Sequence, residues 1–209
     1  MSGNAGVRRP QQAFVVRPVR PNDEALLQQF YEDLSAGARR SRFLGTTRGL
    51  TPAQSVGFCT PDHHHRAGFV AEGVAAGGRR ILGHLCLEPS GPRELEVAIV
   101  VADGDQHHGV GTGLLYAGAA WAWREGFTTL SATMLAANGP IHRLLTGLAM
   151  TYRVRLLDAG TSRIEIVLAK PRAGSLRGAI ADSARVVQVQ ESRPNGPLGR
   201  GHRTATALR

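Results

Sequence analysis

The sequence predicts an α/β protein in which one mixed β-sheet carries helices on both faces. Short apolar, β-branched runs alternate along the chain with segments whose apolar residues recur at helical spacing. The chain has 209 residues and is 42% hydrophobic, enough for one domain with a substantial core. We expect this domain to span residues 13–170, between a flexible N-terminal segment, residues 1–12, and a basic tail, residues 171–209.

The first half of the chain predicts a strand, three short helices and a β-hairpin. Asn22 is the expected N-cap of the first helix and Ser35 that of the second, while Thr51 precedes a proline at the start of the third. The predicted elements are a strand at residues 14–20, helices at 23–34, at 36–43 and from residue 52, and hairpin strands at 68–72 and 80–87.

The second half is organised around a buried strand, a glycine-rich turn and a helix. Residues 97–101 form a short, β-branched apolar run, which is typical of a buried strand. The elements predicted after the turn are a helix at residues 114–125, a strand at 128–135, a helix from 138 to about 148, and strands at 152–157 and 163–168. The last two strands flank Asp158-Ala159-Gly160, a hairpin pattern.

The turn after the buried strand is a candidate phosphate site. Residues 106–113 read Gln-His-His-Gly-Val-Gly-Thr-Gly. Glycine lets a backbone approach its ligand closely, and the free N–H groups at a helix N-terminus attract anions. The turn lacks the lysine of the Walker pattern, and its G-x-G-x-G spacing differs from the dinucleotide-binding G-x-G-x-x-G.

Residues 106–111 resemble the Q/R-x-x-G-x-G/A signature of the GNAT acetyltransferases, and the element order over residues 13–170 is similar to theirs. The resemblance implies a GNAT fold with a mostly antiparallel central sheet, acetyl-CoA as cosubstrate and no metal. It implies that the loop amides hold the pyrophosphate, that the central strand pairs with the pantetheine arm, and that Asn138 binds near the thioester. The implied cofactor-binding residues are Ile99, Val100, Val101, Gln106, His107, His108, Gly109, Val110, Gly111, Thr112 and Asn138.

Three further phrases carry the resemblance. Residues 16–23, V-R-P-V-R-P-N-D, are similar to the IRPxxPxD opening of GNAT domains, and residues 138–148 resemble their ENxxMLxLxxxLGF segment. Residues 34–45, L-S-A-G-A-R-R-S-R-F-L-G, resemble the LSPESRYLRFFG phrase of bacterial Pat-type protein lysine acetyltransferases. The Pat-type resemblance implies a protein lysine as acceptor, and a catalytic glutamate ten residues before Gln106.

Glu96 occupies that position and is the candidate general base. A lysine of pKa about 10.4 is neutral in fewer than about one molecule in a thousand at pH 7, so a base helps to produce the nucleophilic amine. Glu96 interrupts an apolar run, and we expect it beside a site from which water is partly excluded. The alternative is a strand-edge residue that faces solvent and has no catalytic role. Glu94 lies two residues away on the same face of the strand and is the fallback.

The chain departs from the GNAT pattern at positions that bear on chemistry. Many GNAT enzymes use a tyrosine shortly after the asparagine as general acid, but here the corresponding residues are Leu144, Leu145 and Leu148. The aromatic residue common before the loop glutamine is Asp105, and the LGF phrase becomes L-A-M at residues 148–150. The chain also leaves no room for the cyclic-nucleotide domain that often accompanies Pat-type enzymes.

The cysteines, the histidine run and the lack of long apolar segments bear on disulfides, metal binding and cell location. Cys59 and Cys86 lack metal-ligand spacing, and we expect them to be reduced. Adjacent side chains of an extended segment point to opposite faces, so the three histidines at residues 63–65 are not expected to bind one metal ion. No apolar run is long enough to cross a membrane and no signal region is evident, so we expect a cytoplasmic protein with no membrane partner.

The formal net charge of +9 is unevenly distributed. The tail, residues 171–209, contains seven arginines against Asp182 and Glu191, and its Gly, Pro, Ser and Ala content predicts disorder. Such a tail can contact nucleic acid or an acidic partner. No aromatic residues interleave with its arginines, however, which favours a solvated tail.

Two classes of function fit these observations. The first is an acetyl-CoA-dependent N-acetyltransferase acting on a protein lysine or, by the same chemistry, on a small amine. The second is a non-catalytic regulatory module that binds acetyl-CoA. The missing tyrosine favours the second class slightly, whereas the register of Glu96 favours the first.

Overall fold

Eight strands form one mixed sheet in the structure, a computed structural model that describes residues 13–75, 78–136, 138–147, 151–158, 160–168 and 187–189. The strands are β1 (Phe14–Pro18), β2 (Ala67–Ala75), β3 (Gly78–Gly91), β4 (Glu94–Val101), β5 (Thr129–Leu135), β6 (Tyr152–Leu156), β7 (Thr161–Val167) and β8 (Val187–Val189). Their order is β6-β7-β5-β4-β3-β2-β1-β8, and all neighbours are antiparallel except β4–β5 and β1–β8. The predicted mixed, mostly antiparallel sheet is confirmed.

Helices cover both faces of this sheet, as predicted. Within the described residues they are α1 (Glu24–Asp33), α2 (Ala36–Phe43), α3 (Pro52–Cys59), α4 (Val110–Arg124) and α5 (Gly139–Gly147). On one face, residues of α1 and α3 pack on β2, β3 and β4 through Leu27, Tyr31, Cys59, Val70, Ile81 and Val100. On the other face, α4 packs over the same strands through Leu114, Leu115, Trp121, Phe69, Leu85 and Leu95.

The helix starts follow two of the three predicted caps. The Ser35 hydroxyl accepts a hydrogen bond from the Ala38 amide, and Thr51 forms a capping box with Gln54 ahead of Pro52. The prediction for Asn22 was wrong. Residues Pro21–Asp23 form a 3-10 turn, α1 begins at Glu24, and Asp23 takes the N-cap position while its carboxylate binds Arg17 instead.

A close contact between β3 and α4 depends on Gly83. A Cβ atom at this residue would lie 2.9 Å from the Leu114 Cδ1 atom and 3.0 Å from both the Val100 carbonyl oxygen and the Val110 Cγ1 atom. The Val100 oxygen belongs to the backbone of the next strand and has little freedom to move. Gly83 therefore lets the first turn of α4 lie directly against the sheet, beside the end of β4.

A buried ion-pair network joins β1, β2 and the start of α1. The two Nη atoms of Arg17 donate to the two carboxylate oxygens of Asp23, each at 2.7 Å, and Arg17 is 4% exposed while Asp23 is 0% exposed. Arg17 Nε also donates to Glu72 at 3.0 Å, and Glu72 accepts from Arg79 at the surface. Two residues of the IRPxxPxD-like phrase thus hold the N-terminus of α1 onto the sheet.

This network predicts a specific loss of stability in acid. Hydrogen bonds from Arg79 and Arg17 hold the pKa of Glu72 at about 2, below its ordinary value of 4.5, although burial opposes the shift. A lowered folded-state pKa stabilises the fold above pH 4.5, and this contribution is lost as the pH falls through 2. We expect the free energy of unfolding to fall by about 1–3 kcal/mol across this window. Urea titrations should show a shallower acid loss for Glu72→Gln; an equally steep loss would contradict the assignment.

The ends of the chain lie largely outside the described residues, so the predicted flexible N-terminus and basic tail stay predictions. The exception is β8, where residues Val187–Val189 pair in parallel with Phe14, Val15 and Val16 of β1. The sequence analysis did not predict a strand in this segment. Among the described residues, no helix has the length and apolar character needed to cross a membrane.

Candidate active site

The N-terminus of α4 opens onto a cleft. His107 and Gly109 have positive φ values of 63° and 83°, so the backbone reverses direction immediately before Val110 begins the helix. The first helical hydrogen bond runs from the Gly113 amide to the Gly109 carbonyl oxygen at 2.9 Å. The amides that precede Gly113 therefore have no carbonyl partner within the helix and can donate to an anion.

Asp105 fixes the turn before α4 against the sheet. Its carboxylate accepts a hydrogen bond from Arg80 on β3 at 2.8 Å, and its amide donates to the Ala102 carbonyl oxygen at 2.9 Å. The residue is 7% exposed. Asp105 stands where GNAT sequences commonly have an aromatic residue. In this protein its ion pair with Arg80 ties the turn to the sheet.

β4 and β5 pair only where they begin. The parallel register joins Glu94, Leu95 and Glu96 to Thr129, Leu130 and Ser131, and the described register contains no β4–β5 pair beyond Glu96. β4 nevertheless continues beside β3 as far as Val101. The β5-facing backbone groups of residues 97–100 are therefore available to pair with an extended ligand, as an additional strand would.

A cleft of about 520 Å³ connects the open edge of β4 to the N-terminus of α4. This volume lies in the range of small-molecule sites. One wall comes from α2, the opposite wall from the start of α5, and the floor from the end of β4. The walls include Ser35, Gly37, Ala38, Ser41 and Arg42 on the α2 side, and Asn138, Ile141, Arg143 and Leu144 on the α5 side.

A pair of hydrogen bonds holds α2 at the edge of this cleft. The Ser35 hydroxyl donates to Asp103 Oδ1 at 2.9 Å, and the Ser35 amide lies 3.3 Å from Asp103 Oδ2. The same hydroxyl caps α2 by accepting from the Ala38 amide. Ser35 therefore couples the start of α2 to the turn between β4 and α4.

Most of the predicted cofactor-binding residues come together in this cleft. Its lining includes Ile99, Val100, Val101, Gln106, His107, Gly109, Gly111, Thr112 and Asn138. His108 is exposed outside the lining, and Val110 is 2% exposed because its side chain packs in the core beneath α4. At these two positions only the backbone amides can serve a ligand. Gln106 Nε2 donates to the Val101 carbonyl oxygen at 3.3 Å, which ties the turn to the end of β4.

Glu96 lies on the sheet face that α1, α2 and α3 cover, at the point where β4 and β5 separate. Its register partners are Glu88 on β3 and Ser131 on β5. The expectation of partial exclusion from water was wrong, because the residue is exposed and is not part of the cleft lining. An exposed carboxylate can still deprotonate an amine directly or through one water molecule.

Glu94 is less suited to act as a base. Its carboxylate forms an ion pair with Arg163, which also donates to the Ser131 hydroxyl at 3.0 Å. Hydrogen bonding from Ser131 and the charge of Arg163 lower the pKa of Glu94, although burial opposes the shift. A carboxylate with a lowered pKa accepts a proton less readily, so Glu96 remains the stronger candidate.

The sequence analysis missed a second carboxylate beside Glu96. Glu88 faces Glu96 directly across the antiparallel β3–β4 pair, and side chains at such positions are neighbours. Burial raises the pKa of Glu88, with Arg66 opposing the shift from 3.2 Å. The alternation of β3 could have placed this residue once the register with β4 was known.

The position of the missing general acid is occupied by leucine. Leu144 lines the cleft and Leu145 is buried in the core, while Leu148 lies outside the described residues. Among the described residues, no tyrosine lines the cleft. A thiolate leaving group of pKa about 8.5, the usual value for a thiol, needs little protonation assistance near neutral pH.

The histidine-rich segment forms a turn. The Asp62 carboxylate accepts hydrogen bonds from the amides of His64, His65 and Arg66. Burial raises the pKa of Asp62, but these bonds outweigh it and lower the pKa to about 2. The part of the chain that the structure describes contains no group of three or more His, Cys, Asp or Glu residues arranged to hold a metal ion.

Comparison with known proteins shows which solved structures resemble this chain. No protein-family model and no curated protein matches the chain. The GNAT domain of S. lividans PAT is 28% identical, with 73% of this chain and 89% of that chain covered and a TM-score of 0.65. A GCN5-related N-acetyltransferase from Kribbella flavida is 22% identical, covering 73% and 96%, with a TM-score of 0.59. The yncA protein from Salmonella typhimurium, solved with acetyl-CoA, is 16% identical, covering 77% and 97%, with a TM-score of 0.59.

The fold is that of the GNAT acetyltransferases, as the sequence predicted. The solved structures similar to this chain include several GNAT-family acetyltransferases, and the S. lividans PAT domain is identical to it at more than a quarter of the aligned residues.

Proposed function

We propose that this protein is an acetyl-CoA-dependent N-acetyltransferase that transfers acetyl directly to an amine. The observation that carries the proposal is one cleft that combines the unpaired edge of β4 with the N-terminus of α4. An extended amide-containing arm fits the strand edge, and a pyrophosphate fits the helix N-terminus. The acetyl-CoA-bound neighbour from Salmonella typhimurium supports this cosubstrate.

Acetyl-CoA supplies an activated acetyl thioester, and the chain's own groups bind and orient it. The amides at the start of α4 can donate to the pyrophosphate, and Thr112 and Asn138 offer polar side chains along the same cleft. Ile99, Val101, Ile141 and Leu144 provide apolar contact for the arm. A free backbone N–H of β4 is suited to stabilise the oxygen of the thioester carbonyl as charge develops on it.

Glu96 is the proposed general base for the acceptor amine. It lies on β4 where the strand leaves β5, so an acceptor approaching between the two strands passes its carboxylate. The exposure of Glu96 suits a base that returns its proton to solvent after each turnover.

The proposed acceptor is a protein lysine. The support is the phrase at residues 34–45, which resembles that of the Pat-type lysine acetyltransferases, and the similarity to the S. lividans PAT domain. In the structure this phrase forms α2 and one wall of the cleft. A small amine is the alternative acceptor for the same chemistry.

A non-catalytic acetyl-CoA-binding module is the second candidate function. It is favoured by one observation, the absence of any tyrosine from the cleft lining among the described residues. A thiol-release assay with lysine peptides and small amines separates the candidates. Acetyl-CoA consumption that depends on an acceptor supports the transferase, and tight binding without turnover supports the module.

The phosphate loop gives a sharper test of acetyl-CoA binding. A Cβ atom on Gly111 would lie 3.6 Å from both Val101 Cγ2 and Leu144 Cδ2, so the two further methyl groups of valine would occupy space between the cleft walls. We expect Gly111→Val to weaken acetyl-CoA binding by about 1–2 kcal/mol in calorimetry, the scale of one lost charge-assisted hydrogen bond.

Gly104 provides the matched control for this substitution. It belongs to the turn before the loop, is exposed, and would meet no atom within 4 Å if it carried a Cβ atom. Gly104→Val should therefore leave acetyl-CoA affinity unchanged. Equal affinities for wild type and a folded Gly111→Val protein would exclude this loop as the pyrophosphate site.

A further inference from the structure

Arg42 stands out among the residues that line the cleft because its charge is partly buried and has no ion-pair partner, whereas Arg143, the other arginine of the lining, is exposed. Arg42 belongs to the last turn of α2 and is only partly exposed. Its Nη2 atom donates to the Cys86 sulfur at 3.0 Å, and its guanidinium lies over the rings of Phe43 and Phe58 at 5.1 and 5.5 Å. Within the described residues, no carboxylate lies within ion-pair distance of it.

The groups that contact Arg42 are neutral at physiological pH. Burial raises the pKa of Tyr31 to about 12 and also raises the pKa of the Cys86 thiol. Burial, together with the positive charge of Arg42, lowers the pKa of His84 to about 3, and its Nδ1 lies 3.0 Å from the Tyr31 hydroxyl. A permanently charged guanidinium is thus surrounded by a phenol, a thiol, an imidazole and aromatic rings, none of which carries a negative charge.

This arrangement leaves the donors of Arg42 incompletely satisfied. Arginine has five N–H donors, and Nε has no hydrogen-bond partner. Contacts with aromatic rings stabilise a desolvated cation only modestly, whereas removing a cation from water without an anion costs considerably more. Because Arg42 lies at the wall of the cleft, an anionic ligand bound there can form a charge-assisted hydrogen bond with its guanidinium.

The register of the sheet relates Arg42 to the proposed base. Cys86, which Arg42 contacts, pairs with Ala98 on β4, two residues from Glu96. Two residues of a strand span roughly 7 Å. The negative charge of Glu96 stabilises the charged form of Arg42, although the two groups are too far apart to form an ion pair. One acceptor molecule can therefore reach both groups.

We propose that Arg42 binds a carboxylate of the acceptor and so directs a nearby amine of the same acceptor towards Glu96. The preferred acceptor is an amine that carries a carboxylate within several ångströms, either an acidic residue beside a protein lysine or the carboxylate of a small amino acid. This inference rests on the proposed acetyltransferase function and specifies its acceptor class.

Matched acceptors test the proposal. One pair is a blocked peptide with Asp-Lys-Asp at its centre and the same peptide with Asn-Lys-Asn. The other pair is free lysine and lysinamide. Dissociation constants are measured by calorimetry on the protein saturated with CoA, and kcat/KM is measured with acetyl-CoA. We expect wild type to favour the carboxylate member of one pair by about 10-fold or more, the scale of a hydrogen bond to a charged group. The pair that shows the preference identifies the source of the carboxylate.

Variants of α2 separate recognition from a structural role. Arg42→Gln should bring the carboxylate-to-amide ratio close to one, and Arg42→Lys should keep part of it because the charge remains while the planar fork is lost. Arg40→Gln is the control, because it removes the same charge from an exposed residue of the same helix and should keep the full ratio. If Arg42→Gln does not fold, the wild-type ratio and Arg42→Lys decide.

Three results would overturn the inference: equal binding of both members of each pair by wild type, an unchanged ratio in folded Arg42→Gln, or an effect of that variant on acetyl-CoA affinity alone. Absence of transfer to every acceptor would contradict the proposed function. It would leave the binding ratios to test the carboxylate site separately.

Discussion

Replacing Glu96 by glutamine is expected to reduce the turnover of acetyl transfer by about 10²–10⁴-fold, the usual effect of removing a general base. Glutamine preserves the shape of the side chain but cannot accept a proton from the amine. The Glu96 side chain is exposed and is not part of the cleft lining, so acetyl-CoA affinity should remain unchanged. Steady-state kinetics and calorimetry on the same preparation would measure the two quantities.

The pH dependence of this defect gives a second criterion. The neutral fraction of a lysine amine rises about tenfold per pH unit until the pH approaches about 10.4. The contribution of a base decreases as the neutral amine becomes abundant, so the ratio of wild-type to Glu96→Gln rates should fall between pH 7 and 9. A ratio independent of pH would indicate that Glu96 acts by position or charge, not by proton transfer.

Two neighbouring carboxylates provide the matched controls. Glu88→Gln removes a charge directly opposite Glu96, and Glu94→Gln removes one on the same strand that is already bound to Arg163. Both should retain most of the wild-type turnover. Near-normal turnover in Glu96→Gln together with a large loss in Glu88→Gln would identify Glu88 on β3 as the general base. Full activity in all three variants would mean that the amine loses its proton to bulk water.

Local patterns in the sequence were sufficient for most of the fold. Helical spacing of apolar residues located α1, and hydroxyl residues ahead of α2 and α3 located their starts, because a side-chain cap acts within three residues. The β-branched run of β4 and the order of the elements predicted the sheet. These patterns involve residues that are close in sequence, so they can be recognised without knowing the tertiary structure.

Features that arise from tertiary contacts could not be predicted in the same way. The sequence prediction started α4 at residue 114, but the helix begins at Val110, so Gly111 and Gly113, which suggested a loop, belong to its first turn. No sequence pattern in either strand predicts that β4 and β5 separate after Glu96.

The candidate site was predicted in part for the same reason. The glycine-rich turn and β4 carry local motifs, and most of the residues predicted from them line the cleft. The environments of Glu94, Glu88 and Arg42 depend on the register of neighbouring strands and on the packing of α2. No local pattern encodes such contacts, so the pairing of Glu94 and the lack of a partner for Arg42 emerged only from the structure.

The interaction between Arg17 and Asp23 is expected to dominate the stability of the first helical layer. Asp23 is fully buried, receives two bonds of 2.7 Å from Arg17 and accepts a third from the Arg20 amide at 2.8 Å. Without Asp23 the buried Arg17 keeps only Glu72 as a carboxylate partner, and breaking a buried ion pair typically costs about 3–5 kcal/mol. We therefore expect Asp23→Ala to lower the free energy of unfolding by about that amount in urea titrations.

A double-mutant cycle distinguishes ion pairing from a simple loss of packing. In Arg17→Met with Asp23→Leu both charges are absent, so most of the loss should be recovered, because apolar replacement of a whole buried pair is often neutral. Asp33→Asn is the control, since Asp33 is an exposed residue of α1 whose carboxylate accepts one bond from Gln29, and it should cost less than about 1 kcal/mol. A double variant as unstable as Asp23→Ala would show that the cavity, not the orphaned charge, accounts for the loss. Because α1 leads directly into α2, the same variants should also weaken acetyl-CoA binding if the network holds the α2 wall of the cleft in place.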